Sequence, residues 1–154
     1  MPHLLLHIEI WGSSPCVHMS KLDIKINSLL RTMMGVRYVE GRPVIGTSDM
    51  YGQLGILRLK NVYKLRMFRL LVSLLNDGCP QFYDLLLRPY IATHNYRTRG
   101  RAFRHPLVMC EVERRAVSYQ LINLYETVPD IYRNENASLR SLMKEFKRYL
   151  LADQ

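Results

Sequence analysis

Cysteine is scarce in this sequence, and the three present, Cys16, Cys79 and Cys110, are far apart with no CxxC pair. Their odd number and spacing exclude the disulfide framework of a small secreted protein and fit a reducing compartment, cytoplasmic or nuclear. Zinc is no better served. The close Cys/His pairs, Cys16 with His18 and His105 with Cys110, have no second pair at finger or knuckle spacing, so no bound metal is expected. Long apolar runs are missing too. The richest stretch, 70–75, belongs to an amphipathic pattern far short of the 18 or so apolar residues that a membrane span needs, so no membrane contact is expected. The apolar start is interrupted by His3, His7 and Glu9 and has no basic region before it, which argues against a secretory signal. The phrases GxxxxGK[ST], GxGxxG after a strand, and GxSxG are all missing, so neither a cofactor nor a catalytic engine is expected. Glu111 and Glu113 would share one face of a strand, as acid/base carboxylates would, but surface acids beside Arg114 and Arg115 explain them more cheaply.

Acidic residues are also few, 13 against 22 Lys and Arg, leaving a net charge of +9 over 154 residues. Such a field attracts polyanions and makes nucleic acid the first partner class. Hydrophobic residues at 48% and charged residues at 23% are ordinary globular values, so the chain is expected to fold as one domain, 1–154. The pattern within it predicts a mainly α protein of about four main helices near 20–34, 57–76, 114–126 and 138–151, with room for one short strand pair. The first opens on a Ser20/Asp23 capping box, carries Leu22, Ile26, Leu29, Leu30 and Met33 at helical spacing, and stops at Gly35. Residues 36–46, rich in Gly, Arg and Pro, read as a connector, followed by a single turn that Ser48 caps and Gly55 ends. The second helix repeats Leu59, Val62, Leu65, Leu70, Leu71, Leu74 and Leu75, and a short helix is expected over 81–87. The last is capped by Asn136 or Ser138 and carries Leu139, Leu142, Met143, Phe146, Tyr149 and Leu150 on one stripe. Its other face holds Arg140, Lys144, Lys147 and Arg148, more often a solvated face than a binding one. Residues 3–11 and 107–112 fit either strand or helix.

Between these helices the window 88–105 has no acid. It contains Arg88, Arg97, Arg99, Arg101 and Arg104 with Tyr90, Tyr96 and Phe103 interleaved. Arginine forks take phosphate oxygens in pairs and aromatic faces stack on exposed bases, so Arg97, Arg99, Arg101, Arg104, Tyr96 and Phe103 are the candidate nucleic-acid-binding residues.

The order of short phrases along nearly the whole chain resembles the C-terminal, post-catalytic part of non-LTR retrotransposon reverse transcriptases of the jockey-like kind. Trp11-Gly12 is similar to the pair that follows the palm in that family, and Leu29-Leu30-Arg31 to its next helix, without the Gln-Lys signature. Leu54-Gly55-Ile56-Leu57 and Val62-Tyr63-Lys64 stand in order after it, and 80–87 resembles the Leu-Pro-x-x-Phe piece. The most specific match is Tyr96-Arg97-Thr98-Arg99, which resembles the family's Tyr-x-Thr-Arg phrase ahead of a basic stretch. Ser118-Tyr119, Val128-Pro129 and the Phe-Lys helix over 138–151 close the series, with Leu124-Tyr125-Glu126 where relatives have Leu-Trp-Asn. The resemblance implies a thumb-like helical part over 1–87, a basic loop over 88–112 and C-terminal helices over 113–154. It implies a grip on RNA or an RNA/DNA hybrid, and admits a palm-bearing polymerase chain as a second partner. The palm and its aspartates have no counterpart, so no polymerase activity of the chain alone is expected. Alternatives from other classes are a helical protein-interaction module and a translated mobile-element remnant whose Met1 is an internal residue.

Overall fold

The computed structural model describes residues 7–14, 16–39, 41–76, 83, 85–87, 103, 108–133 and 138–152. Helix α1 spans Ile8–Trp11 and α2 Cys16–Met33. A two-residue hairpin of β1 (Tyr38–Val39) and β2 (Arg42–Pro43) pairs Val39 with Arg42 and Tyr38 with Pro43. Helix α3 covers Thr47–Leu54, α4 Leu59–Asn76, α5 Glu111–Arg114, α6 Val117–Thr127 and α7 Leu139–Ala152, with a 3₁₀ turn at Asp130–Arg133. The expected mainly helical class is what is observed, but the described strand pair lies within 36–46, expected as a connector, while Ile8–Trp11 and Glu111–Arg114, in segments that also fit a strand, are helical.

Local chemistry explains the helix ends. Past α2, Gly35 sits at φ +60° while its amide bonds the Thr32 carbonyl at 3.2 Å and the Val36 amide reaches back to Arg31 at 3.0 Å. Gly55 repeats this after α3, at φ +61°, with bonds from Gly55 to Gly52 and from Ile56 to Tyr51. Both are six-to-one closures that need a left-handed residue, which glycine supplies without steric cost. Ser138 caps α7, its hydroxyl accepting from the Ser141 amide at 3.3 Å. Two expectations are corrected. Helix α2 begins at Cys16, so Ser20 and Asp23 lie inside it rather than at its start, and α3 is an eight-residue helix rather than a single turn.

Helix α4 is the spine. Met67, Leu71 and Leu74 are buried against Leu121 and Ile122 of α6 together with Leu87 and Phe103. One residue further round the helix, Phe68 and Val72 meet Leu142, Phe146 and Leu150 of α7 and Val128. Positions i, i+4 and i+7 share a face, and a shift of one residue turns it by about 100°, so α4 buries two adjoining faces in two cores. The second is aromatic: Phe68 lies 4.1 Å from the Phe146 ring centroid and 6.4 Å from that of Tyr132, edge-on. Asn61, the buried polar side chain of α4, donates from Nδ2 to the Leu150 carbonyl at 3.2 Å. That bond sits in the last turn of α7, where backbone carbonyls run out of intrahelical partners. A smaller cluster of Leu30, Met50 and Tyr51 joins α2 to α3.

Gly12 brings α1 onto α4. A Cβ there would run into the Tyr63 ring and the Ile8 carbonyl, so the turn after α1 closes on the spine only because that atom is missing. From the position of Phe68 in the aromatic core, Phe68→Ala is expected to cost about 3–5 kcal/mol in urea unfolding. Ile24→Ala, at a side chain 67% exposed, should stay within about 0.5 kcal/mol.

Candidate nucleic-acid interface

Of the residues expected to bind nucleic acid, Tyr96, Arg97, Arg99, Arg101 and Arg104 lie outside the described residues. Phe103 is described, and it is a core residue, 5% exposed. Tyr125 meets its ring edge-on at 4.9 Å and Tyr83 at 6.3 Å, with Leu87, Met67 and Leu121 in the same cluster. It has no face free to stack on a base, which corrects the expectation. An aromatic ring gains more by leaving water for a preformed apolar cluster than by standing among arginines in solvent. Its burial ties this residue of the basic window to the α4–α6 core.

Among the described residues the clearest cationic surface is on α7. Arg140, Lys144, Lys147 and Arg148 are exposed and fall at i, i+4, i+7 and i+8, one face opposite the buried Leu142, Phe146 and Leu150. On α4, Lys60 and Arg69 are exposed while Lys64 and Arg66 are half-buried, so its cations form no such stripe.

A polar seam joins α2, α3 and the start of α4. Asp23, Asn27 and Arg31 repeat every four residues along α2. Asn27 Oδ1 accepts from the Tyr51 hydroxyl at 2.9 Å, and Arg31 Nη2 donates to Thr47 Oγ1 at 3.1 Å. Arg58 donates to Ser48 Oγ at 2.7 Å and lies 5.7 Å above the Tyr51 ring. Burial raises the Tyr51 hydroxyl's pKa, the Asp23 charge adds to this and Arg58 opposes it, so the hydroxyl stays a donor.

Beside the seam a cleft of about 450 Å³ opens where the turn after α1, the first half of α2, α4 and the α5–α6 joint converge. Ser13, Ser14, Asp23, Lys60, Tyr63 and Arg115 are among its walls. Asp23 Oδ1 is buried and makes no hydrogen bond. Burial raises the Asp23 pKa, and the Arg58 charge offsets part of the rise. Tyr63 is raised by burial as well, with Ser13 opposing it. Glu111 reaches Arg114 at 3.6 Å and Arg115 at 3.8 Å. Glu113 accepts the Cys110 amide at 3.0 Å and the Met109 amide, which hold its pKa below the usual glutamate range. These acids sit on a helix, not a strand, and serve as an ion-pair partner and a helix cap. Among the described residues no three His, Cys, Asp or Glu gather to hold a metal, and no helix is long and apolar enough to cross a membrane.

The cleft has no signature in the sequence, because its walls come from four separate segments. The α7 stripe was legible as a pattern but reads like any solvated face. Comparison with known protein families, characterised proteins and solved structures finds no match to this chain.

Because the raised pKa means that ionising Asp23 opposes folding, its protonated form contributes stability that is present below the ordinary aspartate pKa and lost as pH rises through the folded value. Asp23→Asn should therefore melt higher than the wild type at pH 7, and the gap should close in acid. Thermal melts across pH 3–7 check this.

Proposed function

We propose that this chain is a non-catalytic, nucleic-acid-gripping fragment of an RNA-directed DNA polymerase from a non-LTR retrotransposon, acting on RNA or an RNA/DNA hybrid. The observation that carries the reading is the distribution of charge. The net charge is +9, the window 88–105 has five arginines and no acid, and α7 presents four cations on one exposed face. Phosphate contacts from arginine and lysine supply most sequence-independent affinity, so little sequence preference is expected. Phe103, buried against α4 and α6, tethers the window to the helical body and lowers the entropy lost when it grips a backbone. The order of family-like phrases supplies the polymerase part of the reading, and a palm-bearing chain would supply the chemistry that this one lacks.

A second reading, a helical protein-interaction module, draws on the exposed Val17, Ile24, Leu29 and Met33 of α2. These residues spread round the helix instead of forming one stripe, which favours the first reading.

Binding of the purified chain to a labelled RNA/DNA hybrid across a salt series separates the two. With four phosphates neutralised, log affinity should fall against log salt with a slope of roughly −3.6, counting ~0.9 per phosphate. Replacing Arg97, Arg99, Arg101 and Arg104 by alanine should abolish most of that slope. A flat salt response contradicts the proposal, and binding that the four substitutions leave unchanged favours the interaction module.

A further inference from the structure

The cleft between α2, α4 and the α5–α6 joint has chemistry that the grip on a nucleic-acid backbone does not use. Lys60, Arg114 and Arg115 bring three cations to it, against the carboxylates of Asp23 and Glu111. The three cations outnumber the two carboxylates, so the lining carries net positive charge even with both acids ionised. Glu111 spans the two arginines at 3.6 and 3.8 Å, well beyond the ~2.7–2.9 Å of a tight charge-assisted bond, and its side chain is 63% exposed. An ion pair of that kind is worth little, so a better anion can displace it.

We infer that this cleft is a binding site for a phosphate monoester of nucleotide size, its phosphate taken by Arg114 and Arg115 where the Glu111 carboxylate now lies, with Lys60 adding positive charge to the same lining. A monoester carries close to two charges at neutral pH and three acceptor oxygens, which suit two adjacent guanidinium forks better than a single carboxylate does. Ser14 lines the same space and adds a hydroxyl donor. A phosphate alone would leave much of the ≈ 450 Å³ empty, whereas a volume of this order is that of small-molecule sites generally. Asp23 lines the same cleft, where a carboxyl can accept from a sugar hydroxyl or a base amino group. The site uses none of the residues of the arginine window.

Calorimetric titration of the full chain with adenosine monophosphate, adenosine and inorganic phosphate tests the assignment. The monophosphate should bind, more tightly than inorganic phosphate, and adenosine should give no measurable heat. Arg115→Gln and Lys60→Gln should each weaken the monophosphate about tenfold, the loss of one charge-assisted contact. Glu111→Gln should tighten it by releasing the arginines. The variant lacking Arg97, Arg99, Arg101 and Arg104 should bind the monophosphate as the wild type does, so failure of this site and failure of the backbone grip are told apart. No binding to folded wild-type protein, an affinity unchanged by both Arg115→Gln and Lys60→Gln, or equal affinity for adenosine overturns the inference.

Discussion

Burial of two adjoining faces of α4 is the constraint on which the rest of the structure depends. A helix that buries one stripe can be covered by one neighbour. A helix that buries Met67, Leu71 and Leu74 on one side and Phe68 and Val72 on the next needs two, and α6 and α7 are those neighbours. Asn61 ties the arrangement in register, because its amide meets the Leu150 carbonyl only when α7 lies at one height along α4. Gly12 adds α1 to the same spine by letting the backbone close on Tyr63.

Charge is then displaced outwards. With two faces of α4 taken, its cations sit at the margins, and α7, covered on one side only, can carry a continuous basic stripe. Phe103, the described residue of the arginine window, is buried in the core that α4 and α6 share. The polar seam between α2 and α3 works differently. There Asn27, Arg31, Tyr51 and Arg58 meet hydroxyl, amide and ring partners, and Asp23, with one oxygen unpartnered, faces the neighbouring cleft.

Periodicity and punctuation made most helices legible. The repeat of Leu139, Leu142, Phe146 and Leu150 and the cap at Ser138 place α7 to within a residue, and Gly35 and Gly55 stop α2 and α3 through a left-handed closure that the sequence advertises. The start of α2 was misplaced because Ser20 and Asp23 satisfy a capping pattern equally well inside a helix, where only tertiary context says that the preceding turn is already wound. Phe103 was misassigned for a related reason. Composition reports that a ring stands among arginines, but not that Tyr83 and Tyr125 wait for it in the core. The cleft is the extreme case, since Ser13, Asp23, Lys60 and Arg115 become neighbours only after α4 has gathered its partners.

The proposed grip on nucleic acid rests on the window around 96–104, tied to α4 through Phe103. Hydrogen exchange of the full chain, free and bound to an RNA/DNA hybrid, addresses it most directly. The account predicts that the amides of Leu59–Asn76 are the slowest to exchange in both states, and that binding adds its largest protection at 96–104. Fast exchange along α4, or protection gained elsewhere while 96–104 is unchanged, would contradict it.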